Sequence, residues 1–276
     1  MPTQPPPVRR RTTVKKELAD AVAAVLGKAR RALFITGAGI SADSGLPTYR
    51  GIGGLYDGAA ADEGLPIETI LSGEMMARRP ELTWKHLHRM ELACRGAEPN
   101  RGHEILAELE QRLDRTLVFT QNVDGLRRVA GSKNVIAIHG DLHDLRCTAC
   151  HWRTRVPDFA QLSFPPRCPE CRAIVRPEVV LFGEALPPGP FQQFEDELAK
   201  GFDVVFAIGT SALFPYIARP VLVARSEGIP TVEINPGDTD LSEVVQYRLK
   251  ATARTALKAI WAAYKALAPR RTMIGH

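Results

Sequence analysis

The sequence predicts an α/β fold built on a Rossmann-like parallel sheet. Short apolar runs that suit strands buried on both faces recur along the chain, at residues 32–36, 116–120, 134–138, 203–208 and 231–234. Apolar residues at helical spacing predict helices between and around them, at 14–29, 66–71, 81–94, 104–112 and 252–267. Polar residues follow each strand directly, and the carboxyl ends of the strands are where open α/β sheets bind ligands.

The first strand ends on Gly37-Ala38-Gly39. Two glycines around one small residue let the backbone approach a ligand, and a helix start near residues 40–44 would offer N–H groups to a pyrophosphate. The alternative is a plain strand-to-helix turn, because a G-x-G pair by itself is a weak signal. The third glycine of the dinucleotide fingerprint is replaced by Ala42, although the fingerprint also allows alanine there. The continuation, residues 41–51, is polar and rich in Gly and Pro, which indicates a functional loop.

Two later strands also end on chemically capable side chains. Gln121, Asn122 and Asp124 follow the second strand, although Asn and Asp also favour ordinary turns. His139 follows the third strand at the same predicted edge, where the alternative is a satisfied core histidine. An imidazole with a pKa near neutrality suits a general base. His103, at the start of a predicted helix, is expected to be structural.

Four cysteines have the spacing of a zinc site. Two C-x2-C pairs are separated by seventeen residues: Cys147, Cys150, Cys168 and Cys171. Four thiolates complete a tetrahedral shell, so such a metal is structural. The alternatives to a metal site are redox-active cysteine pairs or disulfides. If a metal is bound, His143 and His151 flank the first pair and are the possible substitute ligands. Cys94 is left over and is expected to be a buried free thiol.

The positive charge belongs to the N-terminal tail. The net charge is +5, and residues 1–16 carry five basic residues and no acid. The tail is expected to be disordered and solvated, with contact to nucleic acid as the alternative use. No apolar stretch is long enough to cross a bilayer and no signal core precedes the first helix, so we expect a cytoplasmic protein without a membrane contact. We expect a monomer.

These segments together resemble the sirtuin family. The loop at 37–50 is similar to the family pattern G-A-G-x-S-x-x-S-G-I-P-x-[FY]-R, with Thr48 where many members carry Asp and with Tyr49 where Phe is commoner. Further family motifs follow in order over residues 17–265: T-Q-N-V-D (120–124), H-G (139–140), the two cysteine pairs, F-G-E (182–184), G-T-S (209–211) and I-N (234–235).

The resemblance implies a Rossmann-like sheet with a smaller module made of a helical insertion and a zinc ribbon. The Rossmann-like domain would comprise residues 14–51, 99–140 and 177–267. The insertions would be 52–98 and 141–176, and the tails 1–13 and 268–276. NAD and an acyl-lysine peptide would meet in the cleft between them.

The resemblance also implies the site residues. His139 would be the general base, and Asn122 and Asp124 would hold the ribose and a water molecule. The other NAD contacts would be Gly37, Ala38, Gly39, Ser41, Tyr49, Arg50, Gln121, Gly209, Thr210, Ser211, Asn235 and Ala251. The substrate peptide would pair as an added strand with Val180, Leu181, Phe182, Gly183 and Glu184, for which the alternative is an ordinary core strand.

The implied activity is NAD-dependent lysine deacylation. The acyl oxygen would attack the ribose carbon that bears nicotinamide, nicotinamide would leave, and His139 would then deprotonate a ribose hydroxyl. Two other functions remain as alternatives. One is mono-ADP-ribosyl transfer to protein, which uses the same cofactor pocket. The other is a non-catalytic zinc-ribbon protein that senses NAD or binds nucleic acid through its basic tail.

The acyl pocket lacks one family feature. The loop resembles that of class III sirtuins, which bind acidic acyl chains through a Tyr-x-x-Arg pair. Counting from Trp84, Leu87 and Met90 occupy those two positions. Neither side chain can hydrogen-bond a carboxylate, so we expect neutral acyl groups to be preferred over succinyl.

Overall fold

The fold is a computed structural model that describes residues 13–48 and 64–267. The predicted tails, most of the loop after Pro47 and part of the helical insertion therefore lie outside the described residues. The strands are β1 (Arg31–Thr36), β2 (Arg115–Thr120), β3 (Val135–Ala137), β4 (Gly140–Cys147), β5 (Arg153–Arg155), β6 (Val175–Val179), β7 (Val204–Ile208), β8 (Thr231–Ile234) and β9 (Tyr247–Leu249).

The α-helices of the same residues alternate with these strands. They are α1 (Lys16–Lys28), α2 (Ile67–Ile70), α3 (Gly73–Arg78), α4 (Pro80–Cys94), α5 (Arg101–Glu110), α6 (Leu126–Val129), α7 (Pro188–Ala199), α8 (Pro215–Ser226) and α9 (Ala253–Leu267). No helix in the described ranges has the length and apolar character required to span a bilayer.

Six strands form one parallel sheet in the order β3-β2-β1-β7-β8-β9. Numbered within this sheet, the order is 3-2-1-4-5-6, which is that of a Rossmann fold. The predicted fold class is confirmed. The order reverses between β1 and β7, so a crevice opens beyond the paired ends of these strands, Thr36 and Ile208.

Both faces of the sheet are covered, which explains why its central strands β1 and β7 are largely apolar. Alternate residues of a strand point to opposite faces. Phe34 of β1 therefore packs beside Phe206 in the core under α1, α5 and α9, with ring centroids 5.0 Å apart. Leu33 and Ile35 face the second core, which includes residues of α7 and α8.

A third apolar cluster holds the smaller module together. Strands β5, β4 and β6 form an antiparallel sheet, and the cluster joins this sheet to α4. Trp84 of α4 is fully buried there, and its Nε1 donates a 2.9 Å hydrogen bond to the carbonyl of Val175 in β6. The helical insertion and the cysteine-bearing segment thus share one core.

One local prediction was wrong. The helix expected at residues 40–44 is a pair of 3₁₀ turns, Ala38–Ile40 and Ala42–Ser44, because Gly45 adopts a left-handed conformation with φ of 87° and ends the second turn.

Candidate active site

The loops after β1 and β7 meet at the point where the strand order reverses. The N–H of Gly39 donates a 2.8 Å hydrogen bond to the carbonyl of Gly209. A Cβ atom on Gly39 would lie 2.6 Å from Cα of Gly209, and one on Gly37 would lie 2.8 Å from the oxygen of Gly209. Only glycine permits this approach, which leaves a crevice lined by backbone at the ligand-binding edge.

The side chains after β2 form a network with the first loop. Asn122 donates through Nδ2 to Oγ of Ser41 at 3.1 Å and to the carbonyl of Gly37 at 3.2 Å. Ser41 in turn donates to Asp124 Oδ2 at 2.7 Å. The Oδ1 atom of Asn122 is buried and accepts no hydrogen bond within the described residues. A buried acceptor of this kind is suited to a donor supplied by a ligand.

Asn100 and His103 support this network from α5. Asn100 donates through Nδ2 to the carbonyl of Ile40 at 2.8 Å and to Oγ of Ser44 at 2.9 Å. His103 completes the N-terminal capping box of α5, so its predicted structural role is confirmed. Sequence reasoning assigned Asn100 no role in the site, although its spacing of three residues from His103 is a capping signal.

Burial changes the pKa values of Asp124 and of its neighbour His103. Burial raises the pKa of Asp124. The hydrogen bonds from Ser41 and from the N–H of Leu126, and the charge of Arg127, lower this pKa but do not outweigh burial. Burial and the same arginine lower the pKa of His103 to about 3. The Arg127 side chain is itself buried, and its guanidinium makes no hydrogen bond to any other described residue. Arg127 was not predicted as a site residue, and it acts here through its charge.

His139 lies at the same edge of the sheet. Its Nδ1 is 3.1 Å from the carbonyl oxygen of Gln121, and its Nε2 is 2.7 Å from the hydroxyl of Tyr216 in α8. Burial lowers the pKa of His139, and the hydrogen bond to the Gln121 carbonyl, which raises this pKa, offsets only part of the effect. The imidazole is therefore neutral at physiological pH, as a general base must be. Tyr216 was not predicted.

The polar residues after β7 and β8 form the other half of the crevice. Thr210 accepts through Oγ1 from Gln121 Nε2 at 2.8 Å, and its carbonyl accepts from Asn235 Nδ2 at 3.0 Å. Ser211 is exposed, whereas Ala251, just beyond β9, is buried. The structure thus places these residues at the predicted edge, while Tyr49 and Arg50 lie outside the described residues.

A small cavity connects this network to α4. It is lined by Ala38, Ser41, Leu46, Pro47, Met90, Ala93, Cys94, Asn122 and Asp124. Of the two residues predicted for the acyl pocket, Met90 lines this cavity. Leu87 is only 1% exposed and belongs to the apolar cluster of the smaller module, so the structure does not place it on this cavity. Burial, followed by the charges of Asp124 and Glu91, raises the pKa of the Cys94 thiol to about 12, which keeps it protonated.

The four paired cysteines converge. Their Sγ atoms all lie within 4.8 Å of one another, with Cys147 and Cys171 3.4 Å apart and Cys150 and Cys168 3.6 Å apart. Tetrahedral zinc with Zn–S bonds of about 2.3 Å places its ligands roughly 3.8 Å apart, so the cluster fits this ion. None of the four cysteines forms a disulfide, and His143 Nδ1 lies 3.5 Å from Asp141 Oδ1.

The predicted peptide-binding segment is braced from within. Glu184 forms a bidentate ion pair with the buried guanidinium of Arg176, at 2.5 and 2.9 Å. Four of the five N–H groups of residues 180–184 already donate inside the chain, to His139, Glu184, Leu71 and Leu181. Added-strand pairing therefore depends on the remaining N–H, that of Gly183, and on carbonyl groups.

Comparison with known proteins agrees with this geometry. Residues 37–214 match the model of the Sir2 family. A Pseudomonas aeruginosa protein named NAD-dependent protein deacylase 2 is 49% identical over 235 residues, which are 84% of this chain and 91% of the relative. An Archaeoglobus fulgidus protein named NAD-dependent protein deacylase 1 is 36% identical over 83% of this chain and 90% of its own length.

Solved structures show the same architecture. A Sir2 homologue in complex with NAD has a TM-score of 0.80 and 33% identity, over 90% of this chain and 95% of the other. A Sir2 structure with a p53 peptide and NAD+ has a TM-score of 0.77 and 26% identity, and the match covers 89% of this chain and 98% of the other. By its strand order, its glycine crevice and its similarity to these proteins, the chain belongs to the Sir2 family.

Proposed function

We propose that this chain is an NAD-dependent protein-lysine deacylase, which converts an acylated lysine and NAD to free lysine, nicotinamide and an O-acyl-ADP-ribose. The observation that carries the proposal is the position of His139. A neutral imidazole lies at the edge of the sheet that also holds the glycine crevice and the network of Asn122 and Asp124. Relatives named NAD-dependent protein deacylase support the reaction class.

His139 is the general base. Because the Gln121 carbonyl can only accept, Nδ1 carries the proton and Nε2 is left with the lone pair that takes a proton from a ribose hydroxyl. Asp124, held by Ser41, and Asn122 orient the ribose and the water molecule. Tyr49 and Arg50 are included in the proposed cofactor site on sequence alone.

The crevice fits a dinucleotide. Gly37, Gly39 and Gly209 bring backbone close to the space that a pyrophosphate occupies in such folds, and Asn122 Oδ1 offers a free acceptor. Thr210, Ser211, Asn235 and Ala251 line the adenosine side. When bound, NAD supplies the ribose carbon that receives the acyl oxygen. Zinc, held by the four cysteines, supports the fold and takes no part in the chemistry.

The substrates are proteins or peptides that carry acylated lysine, bound along Val180 to Glu184. Met90 offers the acyl chain an apolar and adaptable wall, which supports a preference for acetyl and longer aliphatic groups. We place the protein in the cytoplasm as a monomer. The location is supported by five cysteines without a disulfide.

One incubation with NAD and an acetyl-lysine peptide, analysed by mass spectrometry, separates this function from its alternatives. A deacylase yields O-acetyl-ADP-ribose, an ADP-ribosyltransferase yields modified protein, and a sensor yields neither. His139→Ala should lower turnover by at least about 100-fold, within the range of general-base contributions, while NAD binding survives. Deacylation retained in that variant would remove the role of His139.

A further inference from the structure

Tyr216 makes a contact that the proposed reaction does not require. Its hydroxyl lies 2.7 Å from Nε2 of His139, the atom that must accept the ribose proton. Tyr216 is partly buried in the first turn of α8, and its ring stacks on Phe214, with centroids 5.5 Å apart and planes inclined by 16°. Phe214 is 42% exposed, so the aromatic pair lies at the surface end of the site.

The direction of this hydrogen bond follows from the other side of the ring. Nδ1 faces a carbonyl oxygen, which has no proton to give, so the neutral imidazole carries its proton on Nδ1. Nε2 then has one in-plane lone pair, and the Tyr216 hydroxyl donates to it. A ribose hydroxyl cannot donate to the same lone pair at the same time.

We propose that Tyr216 is a positioning residue that occupies the proton-accepting nitrogen of His139 in the free protein and must leave it before His139 can act. The proposal rests on the proposed role of His139 as general base. The Tyr216 hydroxyl donates to Nε2 in the free protein, and the ribose hydroxyl replaces it when NAD and acyl-lysine bind. The base is thereby available only in the complex that needs it.

Few other groups near His139 titrate. Gln121 offers it a backbone carbonyl, and Phe214, which approaches the imidazole edge-on at 6.5 Å, is uncharged. Asp141, two residues along β4, directs its carboxylate to Arg155 and His143. Burial raises the pKa of Tyr216 to about 12, so its hydroxyl stays protonated and remains a donor. Among the described residues, Tyr216 is thus the titratable group in contact with the imidazole.

The first test is independent of turnover. A hydroxyl that donates to Nε2 stabilises the neutral imidazole, so Tyr216→Phe should raise the pH at which His139 is half-protonated in the free protein. A shift of about 0.4 to 1 pH unit is expected, because one hydrogen bond contributes about 0.5–1.5 kcal/mol net. NMR titration of 15N-histidine-labelled protein measures it, with His139→Asn to assign the signal. An unchanged midpoint would overturn the contact.

The second test asks whether the contact blocks the base. With NAD, an acetyl-lysine peptide and labelled nicotinamide, product formation competes with exchange of nicotinamide back into NAD. If the hydroxyl blocks Nε2, Tyr216→Phe should raise the ratio of product to exchange about two- to tenfold, which is the effect of one net hydrogen bond. Tyr247→Phe, which removes a hydroxyl in β9, should leave the ratio unchanged. A product-to-exchange ratio in Tyr216→Phe that is equal to that of the unaltered protein would show that the hydroxyl does not block Nε2. A lower ratio would also overturn the proposal, because it would mean that Tyr216 assists proton transfer to His139.

Failure of this inference and failure of the proposed function are distinguishable. If His139 were not the base, Tyr216→Phe would still shift the NMR midpoint, but His139→Asn would retain product formation. If His139 is the base and Tyr216 does not block it, His139→Asn loses product formation while the product-to-exchange ratio of Tyr216→Phe does not rise.

Discussion

The hydroxyl of Ser41 donates a 2.7 Å hydrogen bond to Oδ2 of Asp124, which joins the loop after β1 to the loop after β2. Burial raises the pKa of Asp124, while this bond, the N–H of Leu126 and the charge of Arg127 lower it. These partners therefore offset part of the cost of burying the charged form of the Asp124 carboxylate. Loss of any of these partners is therefore expected to lower the stability of the fold and to disturb the network of Asn122 and Asp124.

Ser41→Ala should destabilise the protein more at neutral than at acidic pH. Because the pKa of Asp124 is raised in the folded state, its cost to folding is absent below its unfolded pKa of 3.8 and grows as pH rises through the folded value. Removing the Ser41 bond raises that pKa further. We expect a loss of about 1–2 kcal/mol at pH 7.5 and a smaller loss at pH 4, measured by urea unfolding. Ser226→Ala, on the exposed face of α8, is the control, and equal losses at both pH values would contradict the prediction.

Gly39→Ala should weaken NAD binding and lower stability. Its Cβ would meet the backbone of Gly209 at 2.6 Å, and backbone cannot yield without moving the crevice. We expect a loss on the order of 2 kcal/mol, typical of overpacking. Gly27→Ala in α1 is the control: its Cβ would meet nothing within 4 Å, and alanine favours the helix by up to about 1 kcal/mol. Calorimetric titration with NAD measures the binding, and thermal unfolding measures the stability. An NAD affinity of Gly39→Ala close to that of the unaltered protein would contradict the prediction, because it would show that the loops after β1 and β7 can separate without harm to the crevice.

Removal of a zinc ligand should unfold the smaller module first. Cys147→Ser and Cys171→Ser should release the metal and lower the melting temperature and solubility, because the binding energy of such sites, on the order of 10 kcal/mol, is available only to the folded state. Cys94→Ser is the matched control, since Cys94 lies outside the four-sulfur cluster and should leave zinc content unchanged. Metal analysis and thermal scanning measure the result. A soluble and fully active protein that lacks zinc would refute the structural role.

Asp141 should make the protein sensitive to acid. Its burial opposes ionisation, but hydrogen bonds from His143 and from Arg155 outweigh it and lower the pKa of Asp141 to about 2. A depressed pKa contributes stability that is present above the unfolded value of 3.8 and is lost as pH falls toward 2, here about 2 kcal/mol. Asp141→Asn should remove this part of the pH dependence.

The control for Asp141 is Asp144→Asn. Asp144 also pairs with Arg155, at 2.6 Å, but its side chain is 32% exposed, compared with 8% for Asp141. The Asp144→Asn variant should therefore keep most of the loss of stability at acidic pH. Urea unfolding between pH 4.5 and 2 compares the three proteins, and parallel curves for Asp141→Asn and the unaltered protein would contradict the assignment.

Acyl preference should follow from Met90. Burying a succinyl carboxylate beside it without a cationic partner costs several kcal/mol, so kcat/KM on one peptide should be higher for acetyl- and butyryl-lysine than for succinyl-lysine. Met90→Arg should raise the succinyl value at least tenfold. Leu92→Arg, on the same helix but 48% exposed, should not. A succinyl value above the acetyl value in the unaltered protein would show that a basic residue of α4 reaches the cavity.

The sequence alone determined strands of the parallel sheet, their polar carboxyl ends and the zinc ligands, but not the strands of the antiparallel sheet. Each depends on local chemistry: strands buried on both faces are largely apolar, as Ala32 to Ile35 are, and the spacing of Cys147, Cys150, Cys168 and Cys171 fixes which thiolates can share one ion. Resemblance supplied the order of motifs, and with it His139 and the network of Asn122 and Asp124.

Contacts between distant segments were decided only by the tertiary structure. Tyr216 lies 77 residues from His139 in sequence, and no periodicity reports that their side chains meet. Leu87 and Met90 are three residues apart on one helix, yet packing against the smaller module buries Leu87 while Met90 lines the cavity. Helical spacing places both near one face, but only the position of the neighbouring elements decides which of them reaches the site.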